Sequence, residues 1–436
     1  MTNSLWDKYR SLPSAENITR VTLRNGIVAL LRGNPHSQSI GLSGYLSVGS
    51  AIDPHDKLGL AEFTASGLKY GTQQYDFQQI YQLLESTGAN MSFSASVHQT
   101  SFAGRSLSED LPMMLALLRE TLEHPTFPEK EIGMLRDQMM TSLQIREQDT
   151  RAQAAQTFDR LLFGETHPYG RPTDGFMETL SAISIQDMHA LHGAYYGPRG
   201  AGIALTGDIS IPAATGMLEN GLGEWRNPLQ MVMPALAAPA PPAAAQREHI
   251  TIADKFQTDL VMGTPAPLRN SPDFLVGVIG NNILGQFGMM GRIGEVVRDK
   301  AGLAYHASTS LNAGKLGGAW EVNAGVNPAN LERAIDLIRT ELKRFCTEPV
   351  SSEELEDSRA NLIGRLPLSL ESNGAVAMLL VRMEQYGLGL DYLRDYINTL
   401  QATTPEDIQQ VAQHYIGFDQ LMTASAGPAL TEVSQA

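Results

Sequence analysis

The chain has 436 residues, 42% of them hydrophobic, with a formal net charge of −15 and a single cysteine. That length exceeds one ordinary core and predicts two to four domain-sized units. The acidic balance, with no clustered Lys and Arg, argues against nucleic acid as a partner, and no apolar run approaches the roughly 18 residues of a membrane span.

Strand-like runs come first, at residues 18–23, 27–31 and 40–47, and another follows at 91–95. The loop His167-Pro-Tyr-Gly-Arg-Pro172 reads as architectural. Ser184, with Asp187 three residues on, reads as a helix N-cap, and a strand IALTG ends at Gly207. Residues 234–245 (PALAAPAPPAAA) are the expected linker, an extended, semi-rigid spacer. It divides the chain into an N-terminal half, 1–232, the Pro/Ala-rich stretch 233–247, and a C-terminal half, 248–436. Strands are expected in the second half at 250–252, 304–311 and 319–324. After Asn327, with Pro328 in the first turn, a helix carries the stripe Leu331, Ala334, Ile335, Ile338, Leu342 and Phe345. Ser351 with Glu354 forms a capping box, and Thr404, Pro405 and Asp407 open the last helix.

The two halves echo each other. Ser184 and Asp187, followed by Met188, Leu191, Tyr195 and Gly197, line up with Thr404 and Asp407, followed by Ile408, Val411, Tyr415 and Gly417, at one offset (404 − 184 = 220). Gly207 and Gly427 keep it. Strands and long helices alternating in two related halves predict an α+β fold, helices packed on one face of a mostly antiparallel sheet in each half.

Two segments carry the chemistry. Residues 59–72 read GLAEFTASGLKYGT, and residues 284–305 read LGQFGMMGRIGEVVRDKAGLAY. The first resembles the zinc-motif segment of the pitrilysin/insulinase peptidases, Gly-x-Ala-His-Phe-x-Glu-His-Met-x-Phe-x-Gly-Thr, at Gly59, Ala61, Phe63, Gly71 and Thr72. Glu62 and Ser66 stand where that family has its ligand histidines, and Ala65 stands where it has its catalytic glutamate. The family's third ligand falls on Ser142, 76 residues past Ser66 (142 − 66 = 76). A catalytic zinc needs three protein ligands and an open position for water, and its general base must accept a proton. The four substitutions remove both, so no metal is expected on this chain.

The second segment is similar to the same family's C-terminal signature, a Gly-rich turn, then Arg-Leu/Ile, then Glu-Val-Arg, then Gly-Leu-Ala-Tyr, with Arg298 and Tyr305 at its functional arginine and tyrosine. The resemblance implies that these side chains reach a zinc site across a clamp-like chamber. There the tyrosine hydroxyl donates to the oxyanion and the guanidinium holds substrate oxygens. Judged singly, an arginine near a helix end is a solvated charge and a strand tyrosine is a core residue with a wet hydroxyl.

Two functions follow from the resemblance. One is the zinc-free subunit of a heterodimeric metallopeptidase of the processing-peptidase type, with a paralogous partner that holds the zinc and with peptides as substrates. The other is an inactive peptide-binding or scaffold homologue. Retention of Arg298 and Tyr305 beside loss of the metal set favours the first.

Weaker signals point elsewhere and are set aside. Gly285, Gly288 and Gly291 follow a helix instead of a strand, so they mark a turn and not a dinucleotide fingerprint. His189 and His192 lie three apart on a helix with no third ligand near. Cys346 sits on an apolar helix face as a structural thiol; as the lone cysteine it excludes a disulfide framework and fits a reducing compartment. The first twenty residues contain Asp7 and Glu16 and no apolar core, so a cytoplasmic location is expected.

Overall fold

A computed structural model describes residues 5–288 and 291–430. The first sheet has six strands: β1 (Thr19–Thr22), β2 (Val28–Gly33), β3 (Ser39–Leu46), β4 (Asn90–Ala95), β5 (Thr100–Leu107) and β6 (Gly202–Gly207). The second has five: β7 (Arg247–Thr251), β8 (Thr258–Pro265), β9 (Ala304–Ala313), β10 (Gly318–Val326) and β11 (Met422–Gly427). Their orders are β1-β2-β6-β3-β5-β4 and β7-β11-β8-β10-β9. With β1 set aside as an extra edge strand, the two orders match strand for strand. β2 pairs with β6, and β7 with β11, in parallel, and every other pairing is antiparallel. The α+β fold and the two related, mostly antiparallel halves are as the sequence implied.

Packing groups the residues differently from their order in the chain. One compact unit comprises Met1–Leu143, Pro172–Leu236 and Pro367–Arg394; the other comprises Gln144–Arg171, Ala237–Leu366 and Asp395–Ala436. Each unit thus takes one stretch from the opposite half of the sequence. In the first unit the borrowed element is the helix Asn373–Tyr386, which lies on β3 and β6. Its Val376, Ala377, Leu380 and Val381 close over Leu30 and Ala204. In the second unit it is the helix Thr150–Phe163 on β8 and β11, where Ala154, Phe158 and Leu162 pack on Val261, Met422, Ala424 and Ala426.

These helices cover a second face of each sheet, which goes beyond the one-face packing expected from the sequence. The central strands record this in their composition. All six residues of β6 (GIALTG) and of β11 (MTASAG) are buried, because a strand covered on both faces has no solvent side. Their small residues let a helix come close. Gly41 on β3 shows how close: a Cβ there would lie 2.4 Å from the Asn373 carbonyl carbon. The edge strand β4, by contrast, alternates exposed and buried residues along its whole length.

The capping boxes at Ser184/Asp187, Thr404/Asp407 and Ser351/Glu354 all form. The helix Leu331–Thr347 buries its whole predicted stripe. In the second unit, part of the Pro/Ala stretch is held in place, since His167 Nε2 donates to the Ala237 carbonyl at 3.0 Å.

Candidate functional site

In the first unit, the degenerate motif forms the helix Leu60–Gly67. It starts at Gly59, whose φ of +98° is a conformation that glycine adopts freely. Asp53, buried, accepts from the Gly59 and Ala61 amides at 3.0 Å each, which satisfies two otherwise orphaned N–H groups at the helix start. Phe63 and Ala65 are fully buried.

Positions 62 and 66 share one helical face, and they bond to each other: Ser66 Oγ donates to Glu62 Oε1 at 2.8 Å. The other carboxylate oxygen, Glu62 Oε2, accepts from the Ala95 amide at 2.5 Å. Burial pushes the Glu62 carboxyl above its ordinary range, with these two hydrogen bonds opposing the shift. Ser142 lies on a different helix, Glu129–Glu147, where its exposed hydroxyl donates to the Gln138 carbonyl at 3.2 Å.

A zinc does not fit this donor set. Glu62 is the sole metal-binding side chain of the four positions and both its oxygens are engaged, Ala65 offers only a methyl, and Ser66 uses its hydroxyl on Glu62. Among the described residues there is no group of three or more His, Cys, Asp or Glu side chains arranged to hold a metal.

His192, read from sequence as a polar position, is half-buried. Its Nε2–H donates to the Leu122 carbonyl at 2.9 Å, and burial, with His189 and His124 nearby, lowers its pKa to about 4. Cys346 is buried, and desolvation pushes its thiol up to about 11.

In the second unit, Met289 and Met290 of the Arg/Tyr segment lie outside the described residues. Around them Gly288 and Gly291 take φ of +60° and +61°, turning the chain from the helix Asp273–Gly285 into the short helix Gly291–Gly294. A π-helical turn, Glu295–Lys300, follows and carries Arg298.

The anchor of this segment is Arg292, a residue to which sequence reasoning gave no role. Its Nε and Nη2 donate to the two carboxylate oxygens of Glu354 at 2.6 and 2.7 Å. That fork holds the Glu354 carboxyl down to about 2. Ile293 and Val297 are fully buried on the same stretch.

Arg298, six residues past the anchor, is half-buried, and Tyr305 at the start of β9 is 85% exposed. Neither the Arg298 guanidinium nor the Tyr305 hydroxyl has a hydrogen-bond or ion-pair partner among the described residues. Chemically, the pair offers an uncommitted cation and a hydroxyl donor on an anchored segment.

The fold and the refilled helix define a peptidase-type protein whose metal helix has lost its ligands. A model of the insulinase family (peptidase family M16) matches residues 28–164, and a model of the peptidase M16 inactive domain matches residues 182–362. An uncharacterized zinc protease of Streptomyces coelicolor is 22% identical over 404 residues, covering 92% of this chain and 87% of its own. A relative from Helicobacter pylori, named as the non-peptidase homolog YmxG, is 22% identical over 86% of each chain. The crystal structure of a peptidase M16 inactive domain from Pseudomonas fluorescens superposes with a TM-score of 0.89 at 25% identity, covering 95% of this chain and 98% of that one. The chain belongs to peptidase family M16, the insulinase or pitrilysin family, as a member without the metal ligands. Among the described residues no helix is long and apolar enough to cross a membrane.

Proposed function

We propose that this chain is the zinc-free subunit of a two-component metallopeptidase, and that Arg298 and Tyr305 act in trans on peptide held at the zinc site of a paralogous partner. The observation that carries this reading is the exposure of Tyr305, whose hydroxyl has no partner among the described residues, in a chain whose own motif helix has its ligand positions filled by an internal hydrogen bond. A tyrosine kept for packing would bury its ring. An aromatic ring held 85% in solvent gains nothing for the fold, so its value lies in what it meets. The hydroxyl would donate to the developing oxyanion, and the Arg298 guanidinium would hold substrate carbonyl or carboxylate oxygens.

The name of the Helicobacter pylori relative favours a second reading, a peptide-binding or scaffold homologue without catalysis. One experiment separates the two. The chain is co-expressed with a paralogue that carries the His-x-x-Glu-His motif, and peptide hydrolysis is measured for each alone and for the mixture. The first reading requires the mixture to exceed the partner alone. It also requires Tyr305→Phe to cut the mixture's kcat by about a hundred- to a thousandfold, the cost of one oxyanion donor. A mixture no faster than the partner alone selects the scaffold reading.

A further inference from the structure

Among the described residues β4, at one edge of the first sheet, pairs only with β5. In an antiparallel ladder, alternate residues turn their backbone groups toward the neighbour and the rest turn them away. The Ser96 amide donates to the Gln99 carbonyl at 2.8 Å, which sets the phase: Ser94 and Ser92 face β5, while Ala95, Phe93 and Met91 point their amides and carbonyls outward. Outward groups on an edge strand are a template for an added strand. The outward amide of Ala95 is the group that accepts no such addition, because Glu62 Oε2 already holds it at 2.5 Å. Ser66, donating to the other oxygen at 2.8 Å, fixes the carboxylate in that pose.

A side-chain contact of the complementary kind, to a carbonyl instead of an amide, stands at the equivalent edge of the second sheet. There β9 is the edge strand, and the Gly314 amide donates to the Gly317 carbonyl at 2.8 Å. By the same phase, Thr309 turns its backbone outward. Gln286 Nε2 donates to the outward Thr309 carbonyl at 3.1 Å. Gly285 lies so close that a Cβ on it would come within 2.5 Å of the Thr309 nitrogen. Glu62 sits in the first turn of the helix Leu60–Gly67, which lies between β3 and β4, and Gln286 just past the end of the helix Asp273–Gly285, which lies between β8 and β9.

We propose that Glu62 is an edge cap: in place of a metal ligand, its side chain closes the Ala95 end of β4 against addition of an extended peptide. The device is autoinhibitory, since it removes the one amide at the Ala95 end of β4 with which an incoming carbonyl would register. This inference concerns the sheet edges alone and does not rest on the function proposed above, and it is read on the isolated chain without a partner.

The test uses the full chain and a fluorescein-labelled peptide of roughly ten residues, alternating Thr and Val with lysine ends, a length typical of a strand. Binding is followed by anisotropy, and amide exchange across residues 91–95 by mass spectrometry. The native chain is expected to bind weakly and to leave exchange at 91–95 unchanged when peptide is added. Glu62→Ala is expected to speed exchange in that segment, to bind the peptide at least about tenfold more tightly, and to regain protection there on binding. Glu62→Gln, whose amide oxygen still accepts from Ala95, is expected to behave as the native chain. The proposal is overturned if the native chain itself gains protection at 91–95 with peptide, if Glu62→Ala shows no tighter binding, or if Glu62→Gln opens the edge as Glu62→Ala does. Should Glu62→Ala be insoluble, Glu62→Asp, whose carboxylate is one methylene too short for Ala95, is read against the same outcomes.

Discussion

Ser66 and Glu62 stand four residues apart on one helical face and are joined hydroxyl to carboxylate at 2.8 Å. Two side chains at that spacing could hold a metal between them, and here they spend their bonding capacity on each other and on Ala95. Purified chain dialysed against micromolar zinc is therefore expected to retain far less than one equivalent by elemental analysis. A stoichiometric ion lost to chelator would overturn the reading of residues 62–66. Because burial raises the Glu62 carboxyl, the folded chain prefers it protonated, and its charge costs stability once pH rises through the ordinary glutamate range. Glu62→Gln is thus expected to melt higher than the native chain at pH 7, and the gap should close as pH falls below the ordinary value of 4.5.

Gly41 and Asn373 define how tightly the borrowed helix sits on the first sheet. A methyl at position 41 would meet the helix backbone at 2.4 Å, and the helix start is further tied by Asn373 Nδ2 donating to the Ser39 carbonyl at 2.7 Å. Overpacking of this kind costs about 1–3 kcal/mol, and Gly41→Ala should lower the melting temperature accordingly. Fragments 1–236 and 237–436 each lack the helix that covers one sheet face. Made separately they should aggregate, and made together they should yield a soluble complex. Soluble, cooperatively melting single fragments would contradict the packing.

Arg292→Met should destabilise the second unit by about 3 kcal/mol, because it leaves the Glu354 carboxylate without its fork and Glu341, also close to that guanidinium, with one fewer cation. Denaturant midpoints measure this. If the mixed enzyme proposed above exists, the same variant should also raise the temperature sensitivity of its activity, since Arg298 rides on the segment that Arg292 anchors.

Two partly buried groups give stability opposite dependences on pH. His192 is neutral in the fold, with its pKa lowered to about 4 from 6.5. Its contribution is complete above 6.5 and is lost as pH falls toward 4, by up to ~3 kcal/mol. Asp159, in the second unit, is pushed up to about 7 from 3.8 by desolvation and by neighbouring Glu321. It favours the fold when protonated, and that contribution fades as pH rises from about 4 through 7. His192→Gln should flatten the acid limb of a melting-temperature profile, and Asp159→Asn the limb toward pH 8. An unchanged profile in either variant would remove that group from the account.

Much of this molecule was legible in the chain because its signals are local. The capping boxes at Ser184, Ser351 and Thr404 need only residues three apart, and the stripe of the helix Leu331–Thr347 needs only a 3.6-residue period. The refilled positions 62, 65 and 66 were readable because a motif with fixed spacing either has its ligands or lacks them. Strands β5 and β8 are not legible in the sequence. Thr100–Leu107 is rich in Ser, Gly and Thr, and Thr258–Pro265 opens with Thr-Asp and ends in Gly-Thr-Pro, so neither reads as a hydrophobic alternation. The placement of Thr150–Phe163 and Asn373–Tyr386 on distant sheets left no local mark at all. Their apolar residues say that they bury a face, and only packing says against which sheet. Arg292 was passed over for the same reason, since its partner Glu354 lies 62 residues away.

The interleaved packing also sets an order for synthesis. The helix Thr150–Phe163 leaves the ribosome long before β7, which starts at Arg247, so it must wait as an uncovered amphipathic segment for a sheet that does not yet exist. The first sheet in turn keeps one apolar face open until residues 373–386 emerge, and the second closes only when β11 emerges. The nascent protein therefore keeps greasy surface exposed until those late segments emerge, and a chain stalled before them is a substrate for chaperones instead of a half-working product.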